Sequence, residues 1–183
     1  MGYFNTSNLI SSSGVFATDT VGVGFNAAGA MAITYGGDLG VFGFGDSGSG
    51  ANTDITNYVS NLGIVASNTT AVAGKRYVPG SAQYGTDKGI VAYGSFSVGG
   101  NSNTFNLISN TGVIGSDTTG VGTARSYIGG CGYGSDKGIF AYGNTSTSVS
   151  MSNLVSSSGV VASDTTGVGT ARNSAEACGY SQT

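Results

Sequence analysis

Proton-transfer or metal chemistry needs particular side chains, and this sequence is short of them. It contains no histidine, which removes the usual general base and the commonest metal ligand. Serine is abundant, yet none lies in a nucleophile-elbow pattern or has a base to activate it. The cysteines, Cys131 and Cys178, also lack a histidine and read as small apolar fillers kept as reduced thiols. The run Gly43–Gly50 (GFGDSGSG) is glycine-rich, but it neither opens a helix nor ends in Gly-Lys-Ser/Thr. It reads as a hairpin tip, not a phosphate loop. The acidic residues show no alternating Asp-x-Asp pattern of a calcium loop. No catalytic residue, metal site or cofactor is expected, and the chain is not expected to be an enzyme.

The residues that do recur do so with a fixed period. Asp38, Asp87 and Asp136 recur at intervals of 49, and around them lie Asn26–Gly45, Lys75–Gly94 and Ala124–Gly143 as variants of one segment. A second segment starts at Asn8, Asn57, Asn106 and Asn153; its glycines are Gly14, Gly63, Gly112 and Gly159. Arg76, Arg125 and Arg172 share one repeat position, where the first copy has Ala27. Lys88 and Lys137 share another, where that copy has Leu39. A repeat of this length is one supersecondary unit that must bury its faces against its neighbours. The expected domain is single, over 1–183, with full repeats at 26–76, 77–125 and 126–172. Residues 1–25 and 173–183 would share one closing unit.

Composition narrows the element type. Of 183 residues, 34 are glycine and one is proline, with 39% hydrophobic and only 8% charged. That balance suits many short strands joined by tight turns. No apolar stripe of helical period survives the Gly and Ser interruptions. In the third repeat, strands are expected at Tyr127–Tyr133, Gly138–Gly143 and Ser150–Ser156, with a fourth near Val160–Ser163. Gly134-Ser135-Asp136 and Ser156–Gly159 supply turns, and Asp164-Thr-Thr-Gly167 an Asx-type turn. In the second strand Phe140 and Tyr142 are placed on one side, Ile139 and Ala141 on the other. Val91 and Tyr93 oppose Ile90 and Ala92, and Phe42 and Phe44 oppose Val41 and Gly43. Both faces being apolar, the sheet is expected to be covered front and back.

The net charge is −3 with six basic residues, so no footprint for a nucleic-acid backbone is present. No run of 18 apolar residues and no signal-like start are seen, so neither a membrane span nor a secretory leader is expected.

The order Arg, Gly-rich strand (Gly129-Gly130), strand ending in Tyr142, and hairpin returning to Thr170-Ala171-Arg172 resembles a Kelch-type propeller repeat. The chain lacks the late Trp of that repeat, and the paired Gly is clear in one copy. The repeated wording DTTGVGTAR…GYGSDKGIFAYG resembles repeat-rich proteins of tailed phages of marine bacteria. These resemblances imply a virion structural part: a capsid decoration, knob or tail-associated module. It would be made in the host cytoplasm, contact other virion proteins, and be open to homo-oligomer formation.

The expected fold is therefore all-β: a small propeller of four blades, each about 49 residues, closed by strand exchange between the termini. Closure would leave no unpaired sheet edge. An open or oligomer-closed array and a β-solenoid or fibre are the other architectures such repeats allow. In that frame Arg76, Arg125 and Arg172, with Asp38, Asp87 and Asp136, are candidate struts between units, because a guanidinium fork serves several acceptors at once. The tips after the second strand vary most between copies. Ser49, Asn52, Asn101, Asn103, Asn144 and Thr147 there are candidate ligand contacts, suited to sugar hydroxyls. A lectin-like module recognising host-surface glycans is the alternative function. An enzyme with a carboxylate pair near the axis is a third.

Overall fold

The computed structural model describes residues 5–48 and 50–179. Among them the chain is all-β, without helix. The first full repeat forms β1 (Met31–Tyr35), β2 (Leu39–Gly43), β3 (Ile55–Val59) and β4 (Thr69–Thr70), an antiparallel sheet in sequence order. The second forms β5 (Gly80–Tyr84) and β6 (Lys88–Ala92), a small side hairpin of β7 (Ser95–Phe96) and β8 (Gly100–Asn101), then β9 (Thr104–Ile108) and β10 (Thr118–Thr119). Its sheet order is β5-β6-β9-β10. The third forms β11 (Gly129–Tyr133), β12 (Lys137–Ala141) and β13 (Ser152–Val155), with Thr165 bridging Ser152 where a fourth strand stands elsewhere.

The fourth pairing thus falls on the Asp-Thr-Thr segment, not on Val160–Ser163. Val161 makes only an isolated bridge to Val155. The cause is the Asn153 side chain. Its amide donates to Ala162 O at 3.0 Å and to Asp164 Oδ1 at 2.9 Å, so a side chain fills the gap between the two main chains. Regular pairing resumes beyond it, with both Ser152–Thr165 backbone bonds made.

Each hydrophobic core lies between two consecutive sheets. Met31, Tyr35, Val41 and Phe44 of the first sheet meet Val91 and Ile108 of the second. Ala82, Ile90, Ala92 and Tyr93 of the second meet Ile128, Phe140 and Val155 of the third. The middle sheet is covered on both faces, as two apolar faces require. The outer ones are not: Phe42, which faces away from the second sheet, is 50% exposed, and Leu154 is 43% exposed. One placement from simple alternation is corrected. Phe44, Tyr93 and Tyr142 have φ of 61°, 63° and 65°. This left-handed turn at the end of each second strand swings Phe44 and Tyr93 into the following interface, away from Phe42 and Val91.

The first strands stack side by side. Ser81 Oγ donates to Ala32 O at 2.7 Å, joining β5 to β1, and Gln83 Nε2 donates to Thr34 Oγ1 at 2.5 Å. A Cβ on Gly130 would lie 2.5 Å from Ser81 O, so β11 can approach β5 only as glycine. Residues 174–179 continue the series along β11. Ser174 N donates to Tyr127 O at 3.0 Å, and a Cβ on Gly129 would meet Ala175 O at 2.7 Å.

At the other end, residues 5–20 form a hairpin of their own, with bridges Ser7–Thr20 and Ile10–Phe16. Among the described residues, no hydrogen bond joins residues 5–25 to 173–179. In every complete sheet the second strand separates the first from the third. By repeat position residues 173–179 correspond to a first strand and residues 5–25 to a third and fourth; residues 1–4 and 180–183 of the expected closing unit lie outside the described residues.

Candidate functional site

Two features stand out: the joints between units and a cleft along the stacked first strands. The joints begin with arginine. Arg76 and Arg125 are wholly buried, unusual for residues whose charge is costly to desolvate. Arg76 donates to Asn106 Oδ1 at 2.6 Å, Asp117 Oδ1 at 2.9 Å and Thr104 O at 3.2 Å, all in the second unit. Its guanidinium carbon lies 5.5 Å from the ring centre of Phe44, in the first unit. Arg125 repeats the arrangement one unit on. It donates to Asn153 Oδ1 at 2.5 Å, Tyr142 O at 2.9 Å and Thr123 O at 3.1 Å. Its ion pair with Asp164 is longer, 3.6 Å, but the Tyr93 ring centre is closer, 4.3 Å.

Burial pulls both guanidinium groups below their ordinary value. Asp117 opposes this at Arg76; Tyr93 and Asp164 oppose it at Arg125. Burial likewise pushes Asp164 up, but bonds from Thr123 and Asn153 and the charge of Arg125 outweigh it, and the net shift is downward. No buried side-chain polar atom among the described residues lacks a hydrogen-bond partner.

The carboxylate partners are Asp117 and Asp164, not the turn aspartates named above. Asp38 and Asp87 accept from Asn61 and Asn110 of their own units, both at 3.1 Å. Asp136 pairs with exposed Lys137 at 2.9 Å. Their main chains still tie units together: Gly36 N donates to Asp87 O, and Gly85 N to Asp136 O. Arg172 differs from the other two arginines. It is exposed, stacks 4.0 Å from the Tyr142 ring centre and donates to Tyr142 Oη at 2.5 Å.

Sequence reasoning missed Asn106 and Asn153 as the buried acceptors. The signal was present in the spacing and in a paired exchange. The copy that has Ala27 in place of arginine has Asn68 in place of aspartate, and there Asn57 donates to the neutral Asn68 Oδ1 at 2.9 Å.

The loop-tip amides are also committed to the scaffold. Asn52 Nδ2 donates to Ser95 O at 2.7 Å, between the first and second full repeats. Asn101 Nδ2 does the same between the second and third, to Asn144 O at 2.8 Å and Thr145 O at 3.0 Å. Asn103 holds Gly120 O and Gly122 O within its unit, and Thr147 O accepts from Thr145 N at 3.1 Å. Asn144 pairs through its main chain with Ser126. Ser49 lies outside the described residues.

The cleft, about 890 Å³, is walled by β1, β5, β11 and the tail, with Tyr127, Asp38, Glu176, Cys131 and Cys178 among its lining residues. Both cysteines are free. Burial pushes the Cys131 thiol up, and Cys178 adds to that, which lowers its thiolate fraction and its reactivity. Among the described residues no three His, Cys, Asp or Glu side chains cluster as a metal site would need.

The chain matches no protein-family model and no curated protein. Its fold is similar to that of a solved structure described as "Structure of YjhT", with a TM-score of 0.61 and 14% identity over 83% of this chain. The match covers 48% of that structure, so this chain spans about half its length. At this identity the likeness concerns the fold alone.

Proposed function

We propose that this chain is a non-enzymatic structural component of a phage virion, a decoration, knob or tail-associated module, whose units are the blades of a small β-propeller. The observation that carries the scaffold reading is the use made of its scarce charges. Arg76 and Arg125 are buried between units and held by Asn106, Asp117 and Asn153. Buried, saturated polar groups of this kind fix the geometry of one unit on the next. The propeller reading is supported by a middle sheet covered on both faces by its neighbours, with the first strands stacked beside the cleft. The virion assignment rests on the resemblance of the repeated segments to proteins of marine tailed phages. Immunoelectron microscopy on intact particles tests it: labelling at a regular position on capsid or tail is expected, and particles free of the protein would overturn it.

The cleft favours one second reading, a lectin-like module for host-surface glycans. It offers backbone edges, the partly exposed Tyr127 ring and two carboxylates, a lining suited to sugar hydroxyls. A glycan array decides: reproducible binding abolished by Tyr127→Ala supports it, and a blank array removes it.

A further inference from the structure

The first and last units each carry parts of the joint seen between the units within the array. At the tail end, Arg172 is held by its main chain as the other arginines are. Gly143 N donates to Arg172 O at 3.0 Å, as Gly94 N does to Arg125 O at 2.9 Å and Gly45 N to Arg76 O at 2.8 Å. Its guanidinium lies over Tyr142 as Arg125 lies over Tyr93. Among the described residues no Asn–Asp pair stands against Arg172 as Asn106–Asp117 and Asn153–Asp164 stand against the other two arginines.

At the head end that pair stands ready without an arginine. Asn8 Nδ2 donates to Ala17 O at 3.1 Å and Asp19 Oδ1 at 2.7 Å. Asn106 makes the same bonds to Gly115 O and Asp117 Oδ1, at 3.0 and 2.9 Å. Asn5 braces Gly22 O and Gly24 O as Asn103 braces Gly120 O and Gly122 O. Asn8, Asp19 and Arg172 are all exposed.

The apolar contacts repeat the pattern. A Cβ on Gly63 would meet Leu9, and one on Gly159 would meet Leu107, so the hairpin of each unit seats on its predecessor. The corresponding end positions are unmatched. Gly14 has nothing within 4 Å, and Leu154 is 43% exposed.

We propose that the head hairpin of one copy docks on the tail end of a second copy. Arg172 then donates to Asn8 Oδ1 and Asp19, and Leu154 seats against Gly14. Charge complementarity and preformed geometry select this occupant. Where the boundary between the head and the first full repeat lacks arginine it also lacks the aspartate, with Ala27 and Asn68 at those two repeat positions. The ends retain both charges. The interface is head-to-tail and joins unlike surfaces. It does not depend on the virion reading.

Charge reversal tests it. Analytical ultracentrifugation of the full chain is expected to show reversible association to twice the chain mass or a higher multiple. Arg172→Asp and Asp19→Arg should each weaken that association by about 30-fold or more, while circular dichroism shows both still folded. Mixing the two variants in equal amounts should restore association, because each reversed end then meets its complement on the other chain. A wild-type chain that stays monomeric as concentration rises would overturn the proposal, and so would association indifferent to both reversals. Reversals that lower the melting temperature of a monomer, without rescue on mixing, would place the joint within one chain and equally overturn it.

Discussion

The Arg125 guanidinium sits 4.3 Å above the Tyr93 ring of one unit while donating to Asn153 Oδ1 of the next at 2.5 Å. A single side chain thereby reads the position of two sheets at once. Its charge is tolerated in the interior because every direction open to the fork holds an acceptor or an aromatic face.

Arg125→Leu should therefore destabilise the fold by about 3–5 kcal/mol, since Asn153 and Asp164 lose the partner they are arranged around. Arg125→Lys should recover only part of this, an ammonium being unable to reach the same acceptors in one plane. Urea unfolding measures both. A lysine variant as stable as wild type would show that charge alone, not fork geometry, matters.

The boundary between the head and the first full repeat offers the converse experiment. Ala27→Arg with Asn68→Asp installs the pair found at the next two boundaries and should raise stability by about 0.5–2 kcal/mol. Ala27→Arg alone should gain less, because Asn68 offers no countercharge. The denaturation midpoints of the two variants give the comparison directly.

The joint carries a pH signature. The Asp164 carboxyl is held below its ordinary value, burial being outweighed by bonds from Thr123 and Asn153 and by Arg125. The unfolded chain consequently binds a proton more readily than the folded one, and stability must rise with pH through this range. The contribution is complete above the unfolded carboxylate value of about 3.9 and disappears as pH falls through the lower folded value. Asp164→Asn should thus be less stable than wild type at neutral pH, and the gap should close in acid. A gap independent of pH would assign the loss to packing.

Equivalent positions should respond unequally according to what covers them. Phe140 is fully buried, whereas Phe42, two repeats earlier, is 50% exposed. Phe140→Ala should cost about 3–5 kcal/mol, and Phe42→Ala well under that. Thermal melts of the pair separate a covered face from an uncovered one.

Much of this was written in the local pattern. A 49-residue period, the absence of helical spacing and the small residues of the first strands determine an all-β array of like units. The recurrence of arginine marks the boundary positions. Four matters needed the third dimension. Asp117 and Asp164, not the turn aspartates, face the arginines, because the partner is chosen across a sheet interface more than 35 positions away in the chain. Phe44 and Tyr93 leave the face that strand alternation assigns them, because a left-handed residue ends each second strand. The side chains of Asn52 and Asn101, which looked free to bind a ligand, are committed to carbonyls of the next unit once the units stack. Among the described residues no backbone pairing joins head to tail, although their repeat positions place them in one shared unit. Local chemistry specifies each unit and its ends. What those ends meet is decided only by how the units pack, since hydrogen-bond partners between sheets are set by proximity in space and not along the chain.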